Sequence, residues 1–385
     1  MASSAHQLRR LTLGLSTTAV LSWFAVGTGS LDGVCARCEE KRRIKSTKPT
    51  SSIIFLGTGS STGCPKPLCT MLFNSVTTDA PTGSNPVLDE LRGIFQDKCH
   101  VSRRAIIGDP INNKDYRNNP SLLICHYDEK DDRMKHIVID VGKTFRETSL
   151  RWFPKYGISS LDAIILTHEH ADASFGLDEV RGYQRMYPSP APHTKPTSVP
   201  MKVFLSQQCL DVLSGMFPWL FPAQQKIKLE VDPSKPVVDR FVSSLDLHVF
   251  EAFQAMDVEG LQVRTLPVMH GEDLVSYGFA FTVGKTNVVY LSDISRMLPE
   301  TLDFIQNELP PTDILIVDAL YATSTHPVHF SMESAIALMN EIKPGRTFFV
   351  GMNCDAFLPH VEMNEALRKE YGNAQLAHDG LRIEC

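Results

Sequence analysis

Beyond Pro49 the chain alternates short apolar runs with polar, turn-rich stretches. Ile53-Ile54-Phe55-Leu56 opens into Gly57-Thr58-Gly59-Ser60-Ser61, which predicts a strand followed by a turn that glycine permits. Residues 121–127 and 136–141 predict two more strands, with the charged stretch 128–135 between them as an exposed hairpin. A further β-branched run at 161–166 leads into a predicted helix at 174–185. After it, strands are predicted at 202–205, 261–266, 277–283, 287–291, 314–318, 347–350 and 375–383, with helices at 207–216, 332–342 and 363–371. Residues 64–119 carry Pro, Gly and Asn with little periodicity and read as an insertion with one short helical candidate at 88–95. No repeat of fixed period appears. Strands that end in His or Asp and are interspersed with helices predict a layered α/β domain over 51–385 whose polar residues gather at one sheet edge.

The densest chemistry lies in Thr167-His168-Glu169-His170-Ala171-Asp172, where an apolar strand stops and a helix is predicted to start. Two imidazoles one residue apart on a strand-end loop can converge on one cation, and the carboxylate two residues later points to a neighbouring position. Three more strands end in candidate polar groups: Asp140 after Ile137-Val138-Ile139, His270 after Leu266-Pro267-Val268-Met269, and Asp293 after Val289-Tyr290-Leu291-Ser292. Gly57-Thr58-Gly59 lacks the third glycine and downstream acid of a dinucleotide fingerprint and reads as a turn. Arg181, Tyr183 and Arg185 read as a solvated helix face, with contact to an anionic substrate as the alternative.

This ordered set resembles the signature of the metallo-β-lactamase superfamily, and within it the PhnP-like phosphodiesterases and their eukaryotic relatives. The likeness rests on Phe55-Leu56-Gly57-Thr58-Gly59, on His168 to Gly176, on Pro267 to Asp273 and on Ala377-His378-Asp379-Gly380-Leu381. It implies a four-layer αββα sandwich with a metal site at one end. It also implies that His168, His170 and His270 hold one divalent cation, zinc or manganese, that Asp293 bridges to a second, and that Asp172 belongs to that second site. A cation-activated water would attack a small or cyclic phosphate ester. Asp140 would be the supporting carboxylate, and His329, in Thr325-His326-Pro327-Val328-His329, the general acid or phosphate contact. A capping role for His329, and one for Asp318 as a mere hydrogen-bond acceptor, remain the alternatives.

Two departures bear on the second cation. Ala173 stands where the usual motif places a histidine, and the last strand runs into Gly351-Met352-Asn353-Cys354-Asp355 instead of ending in Thr-His. Cys354 as a thiolate, or His360 after a short insertion, would take the missing position. The expectation is one firm site and a weak or absent second. PhnP-like proteins can also carry a structural zinc, for which Cys64, Cys69, Cys99 and His100 are the candidates; buried thiols are the alternative.

Charge narrows the substrate. A formal net charge of -6 gives no basic field for a polynucleotide, so nucleic acid is not an expected partner, and the small-molecule phosphate ester is the one the resemblance implies; a homodimer is compatible with the sequence. Nine cysteines in 385 residues are too sparse for a disulfide scaffold. Residues 1–50 differ from the rest, with Arg9 and Arg10 ahead of a Ser/Thr-dotted apolar stretch and no acid before Asp32. They read as a leader suited to mitochondrial import, with secretory and cytoplasmic destinations as alternatives, and membrane contact is expected only through this segment if it is retained. Two other functions compete with the phosphodiesterase: a thioesterase of the hydroxyacylglutathione-hydrolase kind, and a metal-binding scaffold with reduced catalysis.

Overall fold

The computed structural model describes residues 49–70, 99–187, 197–221, 242–354 and 357–385. The helical candidate at 88–95 and residues 1–48 of the leader segment lie outside the described residues.

Strand alternation sorts side chains to two faces, and here both faces are buried. In β1 (Ser52–Gly57), Ile53 and Phe55 enter one apolar cluster while Ile54 and Leu56 enter another. β2 (Ser121–Asp128) divides in the same way, with Leu122 and Ile124 on one side and Leu123 and Cys125 on the other. The cluster that takes Ile53 and Phe55 also takes Phe279, Tyr290, Ile316 and Phe348, so it is the layer between two sheets. On the outer side of the first sheet, Ile54 and Leu56 share a cluster with Phe145, Trp152 and Phe153, and with Cys209 and Leu213. On the outer side of the second, Leu266, Leu315 and Phe349 meet Ile305, Ala335, Leu338 and Leu367. Helix, sheet, sheet, helix is therefore the layer order, and a fully buried Phe or Ile in such a layer contributes about 2 kcal/mol by removal from water.

Each sheet has seven strands among the described residues. The first joins β1 and β2 to β3 (Arg133–Ile139), β4 (Ala163–Ile165), β5 (Met201–Ser206) and β6 (Leu245–Phe250), with β14 (Arg382–Glu384) at the β1 edge. The second runs from β7 (Ala255–Val258) through β8 (Leu261–Met269), β9 (Val275–Val283), β10 (Thr286–Leu291), β11 (Ile314–Asp318) and β12 (Arg346–Val350) to β13 (Ala374–Leu376). Pairing is antiparallel from β14 to β3 and from β7 to β10, then parallel from β3 to β6 and from β10 to β13. The carboxyl ends of parallel strands are where polar side chains escape the core, which is why Asp140, His168, Asp293 and Asp318 all sit at or just beyond such ends.

The helices are α1 (His100–Ile106), α2 (Phe145–Tyr156), α3 (Ala171–Ser174), α4 (Gln207–Met216), α5 (Pro299–Asn307), α6 (Met332–Ile342) and α7 (His360–Tyr371). The sequence pattern did not predict α1, α2, α5, β6 or β7, and two elements that it did predict take another form. The helix expected at 174–185 is instead the single turn α3 and a 3-10 turn at Glu179–Gly182, because the Gly176 amide donates to Val141 O at 2.6 Å and ties the chain down after one turn. The strand expected at 375–383 is split between the two sheets as β13 and β14.

Asp379, in the split, joins the two ends of the domain. Its buried carboxylate accepts from Thr58 Oγ1 at 2.8 Å, from the Asn118 amide at 2.8 Å and from Asn118 Nδ2 at 3.0 Å. Asp379→Ala would orphan all three donors in a buried place, and the expected loss in denaturant unfolding is about 3 kcal/mol. A change below about 0.5 kcal/mol would mean that water or a neighbour already serves those groups.

Candidate metal centre

The centre starts from Asp140, which follows β3 with φ 62°. A left-handed backbone costs a side-chain-bearing residue about 1 to 2 kcal/mol. It is held here by what the carboxylate does: Oδ1 accepts from the Thr167 amide at 2.9 Å and Oδ2 from the Thr167 hydroxyl at 2.9 Å. Because that hydroxyl proton goes to Asp140, its oxygen accepts from His168 Nδ1, 2.8 Å away. The tautomer of His168 follows, with the lone pair on Nε2. That Nε2 is buried and has no partner, a cost that a Lewis-acidic cation would remove. Burial pushes the His168 imidazolium down to about 3, so the ring is neutral and able to ligate at neutral pH.

His270 is fixed in the same sense from the other sheet, its Nδ1 donating to Val328 O at 2.7 Å. His170 is more exposed and stands at the head of α3. One ring nitrogen from each of His168, His170 and His270 lies within 4.8 Å of the others, with ring centroids 4.6, 5.1 and 5.2 Å apart. Three neutral nitrogens with two rings oriented through their far nitrogen form a donor set that fits one divalent cation.

A second group shares His270. It adds Asp293 and His329, again with ligand atoms within 4.8 Å of one another. Asp293 is buried among these imidazoles. His329 Nδ1 donates to Asp318 Oδ2 at 2.7 Å and stands 3.9 Å from Asp293 Oδ1. Burial alone would pull the His329 imidazolium down, but the Asp318 and Asp293 carboxylates outweigh it and raise the ring to about 9. Asp172 is buried beside the same groups, and burial, then the Asp293 charge, raises its carboxyl. Its main chain is seated by Gly142: a Cβ there would lie 1.8 Å from Asp172 O, so only glycine lets the metal loop approach β3 this closely.

Not every candidate arrives. The Cys354 sulfur lies within 4.8 Å of the Cys69 and Cys99 sulfurs and not in either histidine group, so the expected transfer of Cys354 to the second cation does not hold. His360 opens α7, where its amide donates to Asp115 at 2.7 Å and its Nε2 pairs with Asn364 Nδ2 at 2.9 Å; it too is absent from both groups. Both corrections share a cause, because the chain after β12 turns away from the rim once Met352 has paired with Thr58 and Ser60. His100 is exposed and absent from the cysteine group, while Cys64, Cys69 and Cys99 are buried. Sequence reasoning had no part for Thr167, whose position directly ahead of the His-x-His pair was the available signal.

The family described as a beta-lactamase superfamily domain matches residues 135–352, more than half of the chain, and the chain belongs to that superfamily. A solved diphosphatase of the PhnP family aligns with TM-score 0.59 and 25% identity over 88% of this chain and 98% of its own. Zn(2+)-bound PqqB from Methylobacterium extorquens aligns with TM-score 0.56 at 16% identity over 87% of this chain and 100% of its own, a likeness of fold. A curated octanoyltransferase of Porphyromonas gingivalis is 25% identical over 324 residues, 83% of this chain; the chain spans about half of that relative, 47% of its length. The protein is thus a metallo-β-lactamase-fold member of a generally hydrolytic superfamily, with a fold that implies a divalent metal.

If Asp140 sets the His168 tautomer, Asp140→Ala weakens metal affinity about 10- to 100-fold with all three histidines still present. Competition against a fluorescent chelator measures it. Unchanged affinity would show that Thr167 orients the ring without the carboxylate.

Proposed function

We propose that the chain is a phosphoesterase cleaving a small or cyclic phosphate ester or a related diphosphate, with His168, His170 and His270 holding the retained cation. The observation that carries this reading is the pairing of a three-imidazole donor set with the His329–Asp318 dyad, which share His270 and Asp293 as neighbours. The PhnP-family diphosphatase supports phosphate as the electrophile. Nitrogen ligands with nearby carboxylates suit zinc and manganese alike. Asp293 and Asp172 are the groups available to a second, weaker cation, in line with Ala173 standing where the motif usually has a histidine.

When bound, the divalent cation supplies an activated water and offsets the charge that grows on a phosphoryl oxygen. The protein's own part is to orient and to move a proton. Asp140 and Val328 O hold two imidazoles in the ligating tautomer. Asp318 fixes His329 through Nδ1, which leaves Nε2 to carry a proton to the leaving oxygen. The raised affinity of His329 for that proton keeps it loaded at neutral pH.

A second reading is an acyl-ester or thioester hydrolase, and the observation favouring it is the octanoyltransferase relative. The same activated water attacks an acyl carbon, and no residue described above excludes one. One panel separates the readings: aryl and cyclic phosphodiesters, a diphosphate ester and an octanoyl thioester, each with added zinc or manganese. Phosphoester turnover lost in His168→Ala is the expected result; thioester turnover alone would transfer the assignment to the second reading. Retained metal with no turnover of any member would instead identify a binding scaffold.

The role of His329 has its own test. His329→Ala is expected to lower kcat about 10²- to 10⁴-fold for an alkyl leaving group and far less for nitrophenolate, which needs no proton. Equal losses on both substrates, together with loss of metal, would make His329 a ligand instead.

A further inference from the structure

The turn that follows β3 carries Asp140, and it is also laced to the metal loop along its length. The Val141 amide donates to Ala173 O at 2.7 Å, the Lys143 amide to Ala171 O at 3.0 Å, and the Gly176 amide to Val141 O at 2.6 Å. Between those bonds Gly142 lies so close to Asp172 that a Cβ would meet its carbonyl oxygen at 1.8 Å. Lys143 is therefore fixed beside Ala171 and Asp172 by its main chain. The residue is exposed, and its side chain makes no direct ion pair among the described residues. Its charge nevertheless reaches the metal loop: burial and then the Asp293 charge raise the Asp172 carboxyl, while His170 and Lys143 are the neighbouring side chains that hold it down.

The place where Lys143 is held is short of cation ligands. Asp172 and Asp293 are both buried, but Asp172 belongs to none of the convergent sets of metal-type side chains among the described residues. Ala173, the next residue, is buried and carries no ligand atom. Two carboxylates fall short of the three or four protein ligands that usually hold zinc. A phosphoryl group gains negative charge on its non-bridging oxygens as it is attacked, and positive groups aimed at those oxygens stabilise it. Main-chain donors of this turn are already committed, since the Val141 and Lys143 amides are spent on loop carbonyls. What remains to meet an anionic oxygen here is the Lys143 side chain.

We propose that Lys143 supplies, on the Asp172 side of the centre, the positive charge that a well-held second cation would otherwise bring, by donating its ammonium N–H groups to a non-bridging phosphoryl oxygen of the bound ester. The inference rests on the phosphoester reading above. The ammonium forms no covalent bond and transfers no proton; the proton for the leaving oxygen still comes from His329. A compact ammonium on a flexible four-carbon stem suits the task, because it can follow the oxygen as the phosphoryl group changes shape. The buried Asp172 carboxylate draws that stem inward, which gives Asp172 a part that needs no second ion. The same ammonium makes a second divalent cation beside Asp172 less favourable, since like charges repel.

The test uses the full chain loaded with zinc and compares Lys143→Met, which keeps the main-chain bonds and an unbranched stem, with Lys143→Arg, which keeps the charge. Lys143→Met is expected to lower kcat for an aryl phosphodiester about 10²- to 10³-fold, as loss of a donor to a developing oxyanion does, with zinc retention against a chelator unchanged. Inorganic phosphate, titrated into the zinc-loaded protein by calorimetry, should bind Lys143→Met about 10- to 100-fold more weakly than the unsubstituted chain. Lys143→Arg should recover most of both losses. Unchanged kcat and unchanged phosphate affinity in Lys143→Met, in a chain that does turn over the phosphodiester, would overturn the role of Lys143 and leave the phosphoester reading standing. Equal losses in both variants, accompanied by release of zinc, would also overturn it, because Lys143 would then serve only to hold the metal loop. An unsubstituted chain that turns over no phosphoester would remove the reading itself and the role with it.

Discussion

The hydrogen-bond relay from Asp140 through Thr167 to His168 is the constraint on which the rest of the molecule depends. It joins the end of β3 to the end of β4, holds Asp140 in a left-handed backbone, and decides which nitrogen of a buried imidazole carries the lone pair. The result is a side chain that is costly in the absence of a cation, since His168 Nε2 is buried with nothing to accept from. Strain of this sort persists only where the surroundings over-determine it. Here the surroundings are two sheets, each of seven strands among the described residues, whose parallel halves bring their carboxyl ends to the groups that face the relay.

The two sheets contribute unequally to the centre. The first supplies the oriented His168, the more exposed His170 and the supporting Asp140, while the second supplies the oriented His270, Asp293 and the His329–Asp318 dyad. A cation held by the three imidazoles would join ligands from both sheets, so its binding would couple folding of the domain to assembly of the centre. The His329–Asp318 dyad sits on the second sheet's side, beside His270.

Much of this was legible in the sequence, for definite physical reasons. Strand ends carrying His168, His270, Asp140 and Asp293 are readable because a buried parallel strand is an apolar run and its polar terminus stands out against it. α6 was read to the residue, from Met332 to Ile342, because its apolar spacing is clean and Ser331 caps it. α2 was not read, since Arg146, Glu147, Arg151 and Lys155 are spread among its aromatics and Pro154 interrupts its last turn. The break between β13 and β14 escaped because Leu376-Ala377 and Leu381-Arg382-Ile383 flank a short polar turn that, on paper, continues one strand. Cys354 and His360 were misplaced for a different reason. Their surroundings are set by chain segments about 240 to 290 residues earlier, and no local pattern encodes that a turn bends away from a rim.

Anomalous diffraction from crystals of the metal-loaded chain tests the central claim most directly. The account requires a peak bounded by the ring nitrogens of His168, His170 and His270 at about 2.0 to 2.2 Å, with His168 bound through Nε2. A protein that takes up metal yet places no ion among those three rings, or that binds it through His168 Nδ1 with Thr167 displaced, would contradict it.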